Sequence, residues 1–489
     1  MTDLLLFETE GDVTGASASI RQCQTAPLSL KSLQEYCRAN GHDSVILIQG
    51  GNSLDTLTNQ ILSYNPKVAA ATASTCEFPL ASRIMKQIKQ KNPGIVTVIG
   101  GYQASAFPKS IDPKQCSPDT DPSSVDLLVV GEGEKTLDEI VSYVKQGSLN
   151  ENKLKIKGLA YLEDGKLQVN PRRELIKDLD SLPKITWTDQ ELKDNIFDGL
   201  IAKPGLDNGI VVIISERGCP YACGFWSTQN VYGRKVRTHS IKSLADEVEP
   251  LISYKNVDLI VDYAPTANRD PSRVLDFSEE IKKRGLSKKA SLYQLWRLET
   301  PEGKLMITED LLESVSKTFF GFKAGIGIEA LTEQDEEYIS KRHSLDNLNS
   351  ASESFDKYGA VFRGFFMITP KTTQEAIDAC KDSKVLGLFD DLRLTYLVPY
   401  PGSPLYEQTK NNLLTQNWRD FTGQQPVIKF DYLNPKQYNS ALKSILQGFL
   451  LNPHRHKRIQ RKLQRFPELD PGMNRYHEKM AGYGFQVLS

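Results

Sequence analysis

The sequence predicts an α/β protein: a doubly wound parallel-sheet unit, then a partial (β/α) barrel of about six strand–helix units, then a mostly helical C-terminal region. Three observations predict it. Short apolar runs alternate with amphipathic helical stretches over residues 1 to about 145. The alternation resumes from Ile210 to about residue 410. Between them, the stretch from about 170 to 208 holds Pro171, Pro183, Pro204 and several charges but no core pattern of its own. Strands alternating with helices imply a parallel sheet covered on both faces. A chain of 489 residues also exceeds what a single ordinary core holds. The segments expected are 1–150, 151–208 (hairpin and linker), 209–410 (barrel) and 411–489.

In the first unit, strands are expected at Leu4–Phe7, Val45–Ile48, Val68–Ala73, Ile95–Ile99 and Leu127–Val130. Leu80, Ile84, Met85 and Ile88 fall on one helical face, which Asn92-Pro93-Gly94 ends. A second helix runs from Leu28 to Arg38 and stops at Asn40-Gly41. Ligands of such sheets sit beyond the carboxyl ends of the strands. There the chain has Thr72, Ser74 and Thr75, then Gly100-Gly101-Tyr102-Gln103, then Gly131-Glu132-Gly133-Glu134. Glycines let backbone approach a ligand and hydroxyls can hydrogen-bond it, although the same turns also serve simply to end strands. Leu159–Val169 reads as a hairpin around Asp164-Gly165.

Barrel strands are expected at Ile210–Ile214, Leu259–Asp262, Ser291–Leu295, Ala324–Ile328, Phe362–Ile368 and Leu392–Val398, with helices such as Ile241–Leu251, Leu275–Lys283 and Thr373–Leu386 between them. Functional residues of barrels lie at strand carboxyl ends. Past residue 411 the chain is aromatic and basic. Asn452 to Arg465 reads as a solvated helix face, or as a patch for an anionic partner.

Composition excludes some classes. A formal net charge of −1 gives no global electrostatic case for nucleic acid or an anionic membrane. No apolar run approaches the roughly 20 residues that span a bilayer. The N-terminal residues lack the basic and apolar regions of a signal peptide, so a cytoplasmic location is expected. The seven cysteines are odd in number and mostly scattered, unlike a disulfide framework.

Two cysteines do cluster. Cys219 and Cys223 lie in Ser215–Ser227, just after the first barrel strand. Four positions apart, they suit a thiolate pair on an iron–sulfur cluster, and equally zinc, a redox pair or chance. A third thiolate is needed three residues on, and Trp226 stands there. An indole is a donor only and offers no lone pair to a metal.

Arg217-Gly218-Cys219-Pro220, with Cys223, Phe225 and Ser227, resembles the C-x3-C-x2-C loop of radical S-adenosylmethionine enzymes. Val261–Arg269 resembles the second-strand segment of that family, Gly325-Ile326-Gly327-Ile328-Glu329 its fourth-strand motif, and Val398–Tyr406 its sixth-strand segment. Pro27–Leu30, Gly41-His42, Asn65–Val68, the Gly100 and Gly131 turns and the Ile176–Pro183 connector are similar to the cobalamin (B12)-binding subclass, whose sheet domain precedes the barrel. The likeness covers about residues 1–410. It implies a Rossmann-like B12-binding domain and three cofactors: a [4Fe–4S] cluster, S-adenosylmethionine and cobalamin. It implies Cys219 and Cys223 as metal ligands, Phe225 against the adenine of S-adenosylmethionine, and Glu329 near its ribose or amino-acid part. Thr72, Ser74, Gly100, Gly101, Gly131 and Glu132 would line the corrinoid site.

The implied activity is radical-based methyl transfer to an unactivated carbon, or a related ring closure, on a small-molecule substrate. An external electron donor such as a flavodoxin or ferredoxin would serve it. Trp226 departs from the pattern, and Cys76 and Cys380 are the candidate replacement ligands. The alternatives are an inactive member acting as a binding or regulatory protein, or a one-base codon change from cysteine. The Asp-x-His-x-x-Gly motif by which a histidine ligates cobalt is also absent, a loss common within the subclass that suits cobalamin held without a histidine ligand.

Overall fold

The computed structural model describes residues 2–9, 28–111, 122–194, 209–255 and 257–482. Cys23, Pro27, Cys116 and the part of the linker from 195 to 208 lie outside these. The first sheet begins with β1 (Leu4–Glu8), whose first four residues are buried. An unbroken apolar run suits a strand covered on both faces. With β2 (Ser44–Ile48), β3 (Val68–Thr72), β4 (Val96–Gly100) and β5 (Leu127–Val129) it forms a parallel sheet. Helices α1 (Leu28–Ala39), α2 (Leu54–Ser63), α3 (Phe78–Lys91), α4 (Tyr102–Ser110) and α5 (Glu134–Lys145) alternate with the strands.

Two cores lie on opposite faces. One is closed by Leu57 and Ile61 of α2, Ile84 of α3 and Phe107 of α4, the other by Leu30 of α1 and Ile140 of α5. The sheet is thus doubly wound. The hairpin, β6 (Leu159–Glu163) and β7 (Lys166–Val169), pairs antiparallel with β5, giving the order β2-β1-β3-β4-β5-β6-β7. The sequence reading set this hairpin apart with the linker, whereas its backbone hydrogen bonds attach it to the first sheet.

The second sheet is all parallel. It comprises β8 (Ile210–Ile213), β11 (Leu259–Asp262), β12 (Ser291–Trp296), β13 (Phe322–Glu329), β14 (Val361–Ile368) and β15 (Asp391–Tyr396), in the order β15-β14-β13-β12-β11-β8. Two short strands, β9 (Glu216–Arg217) and β10 (Arg237–Thr238), pair antiparallel beside it. β8 and β15 are edges, so the barrel is open. The helix expected over Thr373–Leu386 is broken into Gln374–Ala379, a tight turn and Lys384–Gly387. Ser383 is extended there and its hydroxyl caps the second piece by accepting from Leu386 N–H.

The C-terminal region serves both halves. Trp418, Phe421, Val427 and Ile428 join the core of the first unit. The Trp418 ring stands 5.7 Å from Phe78 and 5.9 Å from Phe107. Helices Pro435–Leu450, Pro453–Arg465 and Asp470–Gly482 instead pack on the barrel core through residues such as Ile445, Phe449, Ile459 and Met473.

The basic stretch is neither mainly solvated nor a free anionic-partner patch. Lys462 bonds the Asp390 carboxylate at 2.7 Å, Arg458 bonds it at 2.8 Å, and Arg455 donates to the Asp390 carbonyl at 2.8 Å. Arg458 also reaches Asp356 at 2.6 Å. Buried charges need such partners. The outward residues His454, Lys457, Arg461 and Arg465 remain exposed.

Candidate functional site

The cysteine loop leaves β9 at Gly218, whose φ is +93°. A Cβ there would lie 2.3 Å from the Lys235 carbonyl oxygen, so only glycine fits. Cys219 N–H donates to the Gly233 carbonyl at 3.3 Å. Upstream, Asp262 of β11 fixes the entry. Its carboxylate accepts from Ser215 N–H (3.0 Å), Ser215 Oγ (2.7 Å), Ala264 N–H (3.1 Å) and Gln294 Nε2 (3.1 Å). Burial pushes the Cys219 thiol up, and the neighbouring Cys223 and Glu216 add to this, while the Tyr221 N–H and the Thr266 hydroxyl oppose it.

The loop's aromatic pair diverges. Phe225 is buried beside Cys223 in a small apolar cluster with Ala330, Met367, Leu397 and Leu405. Ala330, Met367 and Leu397 stand at or just beyond the carboxyl ends of β13, β14 and β15, and Leu405 is in the helix Pro404–Thr409. Trp226 lies edge-on to Phe225, with ring centroids 6.3 Å apart. It is 48% exposed and its ring lines a large cavity.

The donor set does not fit a cluster held by three protein thiolates. Among the described residues no three His, Cys, Asp or Glu side chains are grouped to hold a metal. Cys76 is in the β3–α3 turn, its Sγ 3.4 Å from Ser74 Oγ. Cys380 is buried, donates to the Ala376 carbonyl and packs against Gly448. Neither is grouped with Cys219 and Cys223.

The cavity, about 760 Å³, joins the carboxyl end of the first sheet to the lumen of the barrel. Thr72, Gly100, Gly101, Gly131 and Glu132 line it. Gly101 (φ +93°) allows a close turn: a Cβ would stand 2.9 Å from Thr72 Oγ1 and the Ala73 carbonyl. From there an apolar crevice runs between the sheet residues Leu6, Ala70 and Val129 and the helix residues Leu33 and Leu137. Ser74 does not line the cavity. Its N–H donates to the Glu77 carboxylate at 2.8 Å, within the turn that starts α3.

Glu132 lines the cavity but its carboxylate is engaged. It accepts from Arg237 (2.8 and 3.0 Å), Arg217 (3.1 Å) and Ile176 N–H (2.8 Å). Arg217 continues to Glu134 at 2.7 Å. Burial raises the Glu134 carboxyl, but Arg217 outweighs it and holds the group below the usual carboxylate range. These pairs tie the first unit to the strands that frame the cysteine loop.

Glu329 ends β13 with φ +72°, a conformation costly for a residue with a side chain. The β13–β14 register shifts between Gly327 and Glu329. Its carboxylate lies over Gly327, 3.4 Å from Lys341 Nζ, which also donates to the Gly327 carbonyl at 2.6 Å. Glu329 therefore has an ion-pair partner, and it does not line the cavity.

Sequence reasoning missed several lining residues. Arg363 and Phe365 of β14, Arg393 of β15 and Tyr293 of β12 project into the lumen. Their signal was the alternation along each strand, polar or aromatic where an apolar lumen residue is usual. Glu216 also lines the cavity, with Arg269 at 3.5 Å. Burial pushes its carboxyl up to about 7, against the pull of Arg269 and with help from Asp262.

A doubly wound domain opening onto a partial barrel, with a glycine-bordered cavity between, defines the class: a cofactor-binding sheet domain serving a (β/α)6 barrel. The comparisons specify it. Residues 21–141 match the B12 binding domain family. An uncharacterized methyltransferase of Pyrococcus horikoshii is 28% identical, over 87% of this chain and 88% of its own. The anaerobic magnesium-protoporphyrin IX monomethyl ester cyclase of Rubrivivax gelatinosus is 24% identical over 87% of this chain and 74% of its own. The radical S-adenosylmethionine methyltransferase TsrM from Kitasatospora setae, solved with cobalamin and a [4Fe–4S] cluster, superposes with a TM-score of 0.67. It is 14% identical and covers 99% of each chain. Residues 21–141 therefore match a B12-binding domain, and the chain has the fold of the cobalamin-dependent radical S-adenosylmethionine methyltransferase TsrM.

Proposed function

We propose that the chain is a cobalamin-binding protein of the methyltransferase type, which presents its cofactor to a small molecule in the barrel lumen. The observation that carries this reading is the continuous cavity from Gly101 and Gly131 to the lumen. The residues fit the group: glycine turns permit close approach, and the apolar crevice suits a large organic ligand. Thr72, Gly100, Gly101 and Gly131 would hold cobalamin. Glu132 would act through Arg217 and Arg237, keeping the two walls of the site together. Ser74 would act only by shaping the turn. Bound there, cobalamin supplies a carrier for a methyl group, while the protein orients the acceptor and excludes water.

Phe225 and Glu329 remain the proposed contacts for S-adenosylmethionine. Support comes from Phe225 packing with Cys223 and with Ala330, the residue that follows Glu329 at the carboxyl end of β13. Methyl transfer is the proposed outcome, with ring closure second, since the relatives named above are a methyltransferase and a cyclase.

Trp226 favours a second reading of the chain as written. With two thiolates and an indole it lacks the third cluster ligand, and it would act as a corrinoid-binding protein. A form with the third thiolate would need a flavodoxin or ferredoxin as electron donor.

Titration with hydroxocobalamin, followed by its visible spectrum, should show about one equivalent retained through gel filtration. No retention would reduce the first unit to a scaffold. Anaerobic reconstitution with iron and sulfide should leave the chain well short of about four irons, and Trp226→Cys should bring it to about four. Four irons in the unaltered chain would refute the incomplete-ligand reading.

A further inference from the structure

Among the described residues, the carboxylates that line the cavity are Glu132, Glu134, Glu216 and Glu247. Three of them are answered by arginine: Glu132 by Arg217 and Arg237, Glu134 by Arg217, and Glu216 by Arg269. Glu247 is not. Its carboxylate accepts no hydrogen bond and joins no salt bridge among the described residues. Lys184 acts on it only at a distance and itself pairs with Asp246 at 3.7 Å. Burial pushes the Glu247 carboxyl up to about 7, against the pull of Lys184.

Glu247 is on the helix Ile241–Tyr254, one turn after Ser243, and both line the cavity. The helix leads into β11 beside β8, whereas the lining arginines Arg363 and Arg393 are on β14 and β15, at the other edge of the sheet. The connector adds Leu182, Pro183 and Ile185 to the lining. His239, just before the helix, lines the cavity too, and its Nδ1 lies 3.1 Å from the Asp180 carboxylate. Burial raises the Asp180 carboxyl, but hydrogen bonds from Ser240 and His239 outweigh it and hold it below the usual carboxylate range. Burial also lowers the His239 imidazole. Nδ1 therefore carries the proton towards Asp180, and Nε2 keeps a lone pair.

An ionised carboxyl without a donor is costly in such surroundings, and a ligand N–H would relieve the cost. Cobalamin carries propionamide arms around its ring, each ending in a carboxamide. We propose that Glu247 receives the N–H of one corrin propionamide, with His239 as a second acceptor of the same cavity, and so selects the amidated corrinoid over one with a carboxylate on that arm. A carboxamide donates, whereas a carboxylate only accepts and meets Glu247 with like charge. This rests on the proposed function, since it takes the cavity to hold cobalamin.

Equilibrium dialysis of the full chain at pH 8, read by corrin absorbance, tests it. The probes are hydroxocobalamin and its b-, d- and e-monocarboxylic acids, each with one propionamide hydrolysed. At least one acid should bind about tenfold or more weaker than hydroxocobalamin. Glu247→Gln, whose amide can donate to that carboxylate, should bring the same acid to within about threefold of hydroxocobalamin. Glu247→Ala, which removes the like charge, should also narrow the gap. Equal binding of all four probes by the unaltered protein would overturn the inference, whether or not the variants fold, and so would a gap that both variants leave unchanged. Retention of none of the four would sink the proposed function and this inference together, whereas equal retention of all four would sink this inference alone.

Discussion

Glu132 shows how a site residue can matter through packing. Its carboxylate is shared by two buried arginines and a backbone N–H, on the seam between the sheet unit and the barrel. Removing one partner of a buried ion pair leaves an uncompensated charge, at a cost of about 3–5 kcal/mol. Glu132→Gln should therefore lower the urea midpoint substantially with little change in the slope. An unchanged midpoint would mean that the residue serves only a ligand. The glycine turn and the Glu132 position were legible in the sequence, because strand ends of such sheets are where ligands bind. The arginine partners were not, since Arg217 and Arg237 lie 85 and 105 residues away. Trp226 was legible as a missing ligand, but its place in the cavity wall was not, because spacing alone does not orient a loop side chain.

Among the elements, the helix Pro453–Arg465 changed most between sequence and structure. Its cations look solvated in isolation, because the neutralising groups, Asp356 and Asp390, precede them by 68 to 102 residues. The parallel strands, by contrast, were legible nearly to the residue, since each is a short apolar run bounded by turn residues, whereas the polar two-residue β9 and β10 were not. The broken Thr373–Leu386 stretch shows the limit: its apolar spacing is helical, while Ser383 caps a new start inside it. Asp390 is the helix's anchor. Its carboxylate also accepts from Phe362 N–H at 2.8 Å, so the same group fixes the start of β14. Asp390→Asn should destabilise by about 3–5 kcal/mol in guanidinium denaturation. Lys457→Ala, on the outer face of the helix, should stay within about 0.5 kcal/mol of the parent. Similar losses in both variants would contradict the buried role.

For the whole molecule, the buried charges predict how acid unfolds it. Burial raises the Asp391 carboxyl, but Arg363 and Lys323 outweigh it and hold it below the ordinary carboxylate range. Asp390 is depressed likewise by Arg458 and Lys462. A depressed carboxyl contributes stability above its unfolded value near 4, and that stability is lost as pH falls through the folded value. The histidines act earlier. Burial, with the charges of Lys341 and Arg297, pulls His343 from 6.5 down to about 3, and burial beside Arg455 pulls His477 to about 4. Below pH 6.5 the unfolded chain binds protons at these sites and the folded chain does not. Each then removes about 1.4 kcal/mol of stability per pH unit until its folded value is reached. Glu216 and Glu247, whose carboxyls burial pushes up to about 7, take up protons in the folded chain over the same range and offset the histidines. Stability should thus hold roughly level from pH 6.5 to 4.5 and fall below about pH 4, where the aspartates protonate. Urea midpoints of the parent and His343→Gln, measured from pH 7.5 to 4.5, check this, and the variant should gain about 1.4 kcal/mol per pH unit relative to the parent as pH falls from 6.5 to 5. A His343→Gln profile parallel to the parent's between pH 6.5 and 5 would show that His343 is protonated in the folded chain.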